Sequence, residues 1–255
     1  MFNRFATVGF GTILASAMTA SMAFASPIGT GPVEVFLQSG AVTALITGTT
    51  PTVGSPSTAM YQNVNLNGWL VGITAISYSP TLNTTAGIDL GGFAATCVPT
   101  STECSSNPLL IAVSAPGFNQ VIGANGFLLQ YGGTVNGGAL STSAWWDTSE
   151  SYFCNPSNPS NPGNPATNCG SSNLIGTLTL GSGSTGTTLT GGPDPIRSYS
   201  LTVSDTLGVN GGLDPFYSFD TSVVQAVPEP GTLALFGAGL FGCLMLEHRR
   251  RARQG

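Results

Sequence analysis

The chain has no lysine, and charged residues make up only 7% of its 255 positions. All six basic residues are arginines, five of which lie near the two ends, so that Arg197 is the only one in the middle. Between Ser26 and Val227, nine acidic residues and this one arginine give a net charge of −8. Binding to a phosphate backbone needs several basic side chains, and we therefore expect no nucleic-acid partner.

Histidine is almost as scarce, since the single His248 lies close to the C-terminus. The region before it lacks the usual general bases that activate a serine or cysteine nucleophile. Asp147-Thr148-Ser149 and Asp220-Thr221-Ser222 resemble the paired turns of aspartic proteases, but they are only 73 residues apart. We interpret both tripeptides as turns and expect a protein that is not an enzyme and that has no cofactor and no metal site.

Residues 1–25 have the order of a secretory signal peptide. Arg4 lies in a short head, an apolar stretch follows over 5–22, and Ala23 and Ala25 form a small-residue cleavage site before Ser26. We expect signal peptidase to cut there, so that the exported domain covers residues 26–226.

The other end of the chain combines three unlike elements in residues 227–255. A proline-rich motif at 227–231 precedes an uncharged apolar run over 232–246, and a basic tail follows over 247–255. Fifteen helical residues span about 22 Å, which is short of the roughly 30 Å hydrocarbon core, but flanking arginines can snorkel to close the gap. The run predicts one membrane helix with a cytoplasmic C-terminus. Its anchoring side chains are Arg249, Arg250, Arg251 and Arg253.

In this order, the elements resemble the PEP-CTERM sorting signal, a tail that is also called an ice-binding protein C-terminal domain. Its recognition residues here are Val227, Pro228, Glu229 and Pro230. The resemblance implies processing by exosortase, a membrane protease, after a transient stay in the inner membrane. It further implies release or attachment at the surface of a Gram-negative bacterium that makes extracellular polysaccharide.

The region between these signals is rich in short β-type segments bounded by Gly, Pro, Asn or Ser. It shows no sustained helical stripe, and the pattern predicts an all-β domain, an antiparallel β-sandwich or a jelly roll. The predicted strands cover 33–37, 41–46, 64–66, 69–78, 88–93, 109–113, 127–131, 174–180, 199–203 and 216–224.

Four cysteines lie in the exported domain, and an even number in an exported chain predicts disulfides. Three connectivities are possible, of which Cys97 with Cys104 and Cys154 with Cys169 requires the shortest loops. A zinc site is less well supported, because neither spacing fits the usual zinc ligand pattern. The second pair would tether an Asn-Pro-rich loop over 155–168, which we expect to be extended and solvated.

Trp145 and Trp146 are candidates for stacking on sugars. Neighbouring strand residues face opposite ways, so one indole is expected in the core and the other exposed, although both can be core. We expect a structural or interaction protein of the cell surface or extracellular matrix, with extracellular polysaccharide as a potential partner. A lectin-like module for neutral glycan and a glycosidase using two carboxylates are the alternatives.

Overall fold

The structure, a computed structural model, describes residues 31–51, 56–78, 87–98, 102–118, 126–155, 164–171, 173–180, 186–190, 198–209 and 215–225. The expected signal peptide, sorting motif, membrane helix over 232–246 and arginine-rich tail lie outside these residues. Within the described ranges, no helix is long and apolar enough to cross a membrane.

The described chain consists of twelve strands and three very short helical segments. The strands are β1 (Glu34–Ser39), β2 (Val42–Thr47), β3 (Ser57–Leu66), β4 (Trp69–Tyr78), β5 (Gly87–Cys97), β6 (Leu109–Phe118), β7 (Phe127–Asn136), β8 (Gly138–Asp147), β9 (Leu174–Leu180), β10 (Gly186–Thr190), β11 (Tyr199–Val209) and β12 (Phe216–Gln225). The helical segments are α1 (Glu103–Ser106), α2 (Pro165–Asn168) and a 3-10 turn over Tyr152–Cys154.

These strands form two six-stranded sheets, and every pairing between described strands is antiparallel. The first sheet has the order β2-β1-β6-β11-β8-β9, and the second has the order β10-β7-β12-β5-β4-β3. Consecutive strands repeatedly cross from one sheet to the other, as in β5 to β6 and β11 to β12. The prediction of an all-β sandwich is confirmed.

The core lies between the sheets because alternate residues of each strand point inward. On β4 the inward set is Val71, Ile73 and Ala75, each no more than 2% exposed. Aromatic side chains from both sheets fill the space between them, and their rings pack in tilted, edge-to-face or stacked pairs. The contacting pairs are Trp69 with Tyr217, Phe93 with Phe219, Tyr131 with Phe219, and Tyr199 with both Phe118 and Phe127.

The cysteines pair with their sequence neighbours, as the shortest-loop interpretation predicts. Cys97 is joined to Cys104, with 5.8 Å between their Cα atoms, and Cys154 is joined to Cys169, with 4.9 Å. The first disulfide fixes α1 to the end of β5. The second joins the 3-10 turn to the end of α2, so it closes the long connection between β8 and β9.

Candidate functional site

Neither tryptophan proposed for sugar stacking is an exposed ring, so the expectation of one core and one exposed indole is wrong. Trp145 is 4% exposed, so it presents no face to a ligand, and Trp146 is half-buried against the main core. The two side chains do point to opposite faces of β8, as expected for adjacent strand residues. The outer face of the sheet is covered here, which is why the outward indole is buried as well.

The described parts of the β8–β9 connection, residues 148–155 and 164–171, provide a cover for the outer face of this sheet. Phe153 from its 3-10 turn is fully buried and forms a second, smaller core with Phe36, Leu110 and Ala112. The backbone N–H of Phe153 donates a 3.0 Å hydrogen bond to Ser114 Oγ on β6.

Two further hydrogen bonds hold the connection in place. Tyr152 Oη donates to the carbonyl of Pro32 at 2.7 Å, and Ser200 Oγ donates to the carbonyl of Ser151 at 2.9 Å. Residues 151–153, next to the Cys154–Cys169 disulfide, therefore fix this cover to the first sheet.

The two Asp-Thr-Ser tripeptides lie in different sheets. Asp147 ends β8 in the first sheet and accepts hydrogen bonds from the backbone N–H and the hydroxyl of Ser149, so it forms the expected turn. Asp220 instead lies within β12 of the second sheet, and its interpretation as a turn is wrong. Its environment resembles that of a strand residue at a bulge, because the register of β12 against β5 shifts between Phe219 and Thr221.

A shallow groove of about 380 Å³ lies on the second sheet, where β5, β12 and β7 run side by side. Apart from Phe93 and Phe219, its lining is small or polar: Gly92, Ala94, Gly132, Gly133, Thr134, Ser218 and Asp220. Glycines inside strands mark bulges or close approaches of another backbone, and here two Gly-Gly pairs remove the side chains that would fill the outer face. These pairs are the sequence signal for the groove, and our sequence interpretation did not use it.

Asp220 stabilises the bulge that shapes this groove. Its Oδ1 accepts a 2.7 Å hydrogen bond from the backbone N–H of Gly92, which has a φ of +59°. The carboxylates of Asp89 and Asp220 both lie within 4 Å of the position that a β carbon on Gly91 would occupy. Two acids therefore flank the same glycine at the surface of the sheet. Among the described residues, no cluster of three or more acidic, histidine or cysteine side chains is placed to hold a metal ion.

An apolar row adjoins the groove on the same outer face. Phe216 is 44% exposed and lies two residues before Ser218 on β12. The register pairs Phe216 with Thr96, and Thr96 with Leu70, which is 42% exposed. The face therefore combines an exposed ring, short hydroxyl side chains and carboxylates, which are the groups that bind neutral sugars through stacking and hydrogen bonds.

A third carboxylate is buried in the core and is out of reach of any ligand on the surface. Asp205 on β11 is 0% exposed, and burial raises its pKa to about 7 against the lowering effect of hydrogen bonds from Thr142 and Thr221. Its Oδ2 and the hydroxyl of Tyr131 are buried and have no hydrogen-bond partner among the described residues. Burial and the nearby Asp205 raise the pKa of Tyr131 to about 12. This cluster affects stability and has no access for a substrate.

The C-terminal region matches the PEP-CTERM protein-sorting motif over residues 226–251. Among curated proteins, none matches the chain. The motif begins at residue 226, directly after Gln225, which is the last residue of β12. The chain is therefore an exported protein that is sorted by exosortase and that reaches the cell surface or the extracellular space.

Proposed function

We propose that this exosortase-sorted protein is a non-enzymatic structural or interaction protein of the cell surface or the extracellular polysaccharide matrix. A body without lysine or histidine has few groups for acid–base or nucleophilic catalysis. The most deeply buried carboxylate of the described residues, Asp205, lies in the core, where its hydrogen bond with Thr221 joins the two sheets.

The observation that supports this proposal is that the sorting motif follows the last strand of the sandwich directly. β12 is hydrogen-bonded along its length to β5 on one side and to β7 on the other. The sorting motif follows Gln225 with no intervening linker. Whatever exosortase leaves at the C-terminus is therefore attached to an interior strand of the sheet. A load applied at that point would be shared by two ladders of hydrogen bonds, which suits a protein that works while attached to a surface or polymer.

Fractionation of an exosortase-bearing host tests the matrix role. The full chain and a variant with Pro228, Glu229 and Pro230 all changed to alanine would be expressed with their own signal sequences. We expect the native chain to lose its tail and to be recovered with the surface or matrix polysaccharide, and the variant to remain with the cell membrane. Mass spectrometry of the C-terminus identifies the cleavage product. A native chain that is found only as free protein in the medium would contradict the matrix role while leaving the sorting intact.

A lectin-like role for neutral glycan is the second candidate, and the groove on the second sheet favours it. Asp89 and Asp220 lie on this face, so an acidic polymer would be repelled, whereas a neutral sugar can receive hydrogen bonds from Ser218 and Thr134 and stack on Phe216. This candidate moves the expected contact from the tryptophans to the opposite sheet.

A glycan panel measured with the secreted protein tests this second role. Changing Phe216 to alanine should weaken binding about two- to tenfold, since an aromatic contact contributes about 0.5–1.5 kcal/mol. Leu174→Ala is the matched control, because Leu174 is also an exposed apolar residue but lies on β9 of the first sheet. Equal effects of the two changes, or no binding by the native chain, would rule out the groove as a lectin site.

The non-enzymatic part of the proposal has its own test. Asp89 and Asp220 flank the same glycine on the outer face of the second sheet, so they are the natural pair for a glycosidase. We expect no new reducing ends when the secreted protein is incubated with the host polysaccharide. Turnover that Asp220→Asn abolishes would overturn the proposal.

A further inference from the structure

The sorting signal leaves the sandwich from a fixed point on the second sheet. β12 stays paired with both β5 and β7 up to its last residues, and the sorting motif starts at the next residue of the chain. We call the part of the second sheet around this point the exit end. Its members lie opposite or beside one another in the register: Gly87, Phe127, Leu128, Val224 and Gln225.

The chain allows exosortase little distance from the exit end. Pro230, the last recognition residue, is five residues beyond Gln225, and five extended residues reach at most about 18 Å. The six strands of the second sheet span about 24 Å, because neighbouring strands are about 4.8 Å apart. An enzyme that encloses the recognition residues of a folded substrate therefore touches the sandwich.

The outer face of the exit end is apolar and uncharged. Phe127, Leu129 and Val223 are buried in the core, so the alternation of strand residues turns Leu128 and Val224 outward. These two side chains are half-buried and lie opposite each other. No charged residue occurs among the described residues of the second sheet at this end, which are 57–59, 75–78, 87–88, 126–129, 187–190 and 222–225.

The first sheet is acidic at the same end of the sandwich. Glu34 begins β1, Asp147 ends β8, and the exposed Glu150 follows in the β8–β9 connection. The two sheets therefore differ in charge where the sorting signal leaves, and a neutral, apolar partner surface is complementary to the second sheet only.

We propose that exosortase binds the folded sandwich at the exit end, where Leu128 and Val224 contact a neutral, apolar surface of the enzyme. The short connection identifies the partner, because the enzyme that holds the sorting motif is brought to this surface by the chain itself. The contact orients the substrate and ends when the tail is removed. The inference does not depend on the proposed matrix role, since processing comes before the protein reaches its final place.

Tail removal from the full chain in an exosortase-bearing host, followed by mass spectrometry, tests the contact. Leu128→Glu should slow tail removal about tenfold or more, because it brings an unpaired charge into an apolar contact. Leu128→Gln has a similar shape without the charge and should slow it much less. Leu128 is remote from the sorting motif in the sequence, so its charge acts on processing only through the fold.

A lengthened connection separates the two surfaces. A flexible Gly-Ser segment of about 15 residues, inserted after Gln225, lets the enzyme hold the motif without touching the exit end. This insertion should restore tail removal of Leu128→Glu.

Val42→Glu is the matched control for the added charge. Val42 is also an apolar residue, 44% exposed, but it lies opposite Ser39 at the other end of the first sheet. Its variant should lose the tail at the native rate. Resistance of each full chain to added protease checks that the variants keep the folded sandwich.

Equal rates for the native chain and Leu128→Glu would overturn the inference. Equal slowing by Leu128→Gln or by Val42→Glu, or a failure of the insertion to restore tail removal, would overturn it as well. In a host without exosortase, weaker recovery of Leu128→Glu than of the native chain with the membrane would assign the surface to lipid and also overturn it. A native chain that is processed as expected but found only in the medium would contradict the matrix role alone.

Discussion

Thr221 on β12 donates a 3.3 Å hydrogen bond to Asp205 Oδ1 on β11, and so links the two sheets through the middle of the core. Thr142 on β8 donates to the same oxygen at 2.5 Å. The second oxygen of this carboxylate has no hydrogen-bond partner among the described residues. Hydrogen bonds that would stabilise a negative charge on Asp205 therefore reach only one of its two oxygens, and burial favours the protonated form.

This cluster predicts that the sandwich is most stable in mild acid. Because the pKa of Asp205 rises from 3.8 in the unfolded chain to about 7 in the fold, the folded state binds the proton more tightly. The free energy of unfolding should then fall as the pH rises from about 4 to about 7, by about 4 kcal/mol at most, and should level off above that range. Burial also raises the pKa of Glu34, which adds a contribution of the same sign.

Urea unfolding of Asp205→Asn at several pH values checks this prediction. The variant cannot ionise at this position, so most of the decline between pH 4 and 7 should disappear. Asp220→Asn removes an exposed acid instead and should keep the decline. A native protein whose stability rises over this range would show that Asp205 is charged in the fold.

Ser114 is predicted to be the main polar attachment of the β8–β9 connection. Its hydroxyl accepts from the N–H of Phe153, donates to the carbonyl of Leu201 at 3.1 Å and lies 2.9 Å from the hydroxyl of Thr202. Ser114→Ala should lower the free energy of unfolding by about 1–3 kcal/mol, because it leaves a buried N–H without an acceptor.

The matched control for this change is Ser143→Ala on β8. Ser143 pairs with the hydroxyl of Thr177 at an exposed position, 3.0 Å away, and its loss should change stability by no more than about 0.5 kcal/mol. Equal effects of the two changes in urea unfolding would show that the connection is held by its apolar contacts alone.

The sequence could predict the strands whose two faces differ. β4 and β9 have the bounds expected from the alternation of their residues. Two strands were missed, β8 and β10, because small and polar residues dominate them. β8 turns Thr142 toward the buried Asp205, so its inward face is not purely apolar, and no pattern of hydrophobicity marks it as a strand.

The candidate site was less predictable, since it depends on which sheet face is covered. Nothing in the residues around Trp145 indicates that the outer face of β8 is buried, because the cover forms from a segment that begins only after the strand ends. Gly91-Gly92 does indicate a bulge and Gly132-Gly133 a close approach of another backbone, but only the strand order brings β5 and β7 to either side of β12.

The Cys154–Cys169 disulfide is predicted to stabilise the fold because it lowers the conformational entropy of the unfolded chain. It closes a loop of 15 residues, for which about 2–4 kcal/mol is typical. Changing both cysteines to alanine should lower the free energy of unfolding by that amount and loosen the cover over Phe36 and Leu110. Increased fluorescence of a dye that binds apolar surface would report the loosened cover. A double variant within 1 kcal/mol of the native protein would contradict the prediction.

Truncation of Trp145 should lower the stability of the protein, whereas truncation of Phe216 should lower its affinity for glycan. Trp145 is 4% exposed, so Trp145→Ala removes a buried side chain and should cost about 3–5 kcal/mol of stability. Phe216 is 44% exposed, so Phe216→Ala should stay within about 0.5 kcal/mol of the native protein. At a temperature where all proteins are folded, glycan affinity should fall only for Phe216→Ala. If affinity instead fell for Trp145→Ala alone, sugars would bind on the first sheet, and the β8–β9 connection would have to open to admit them.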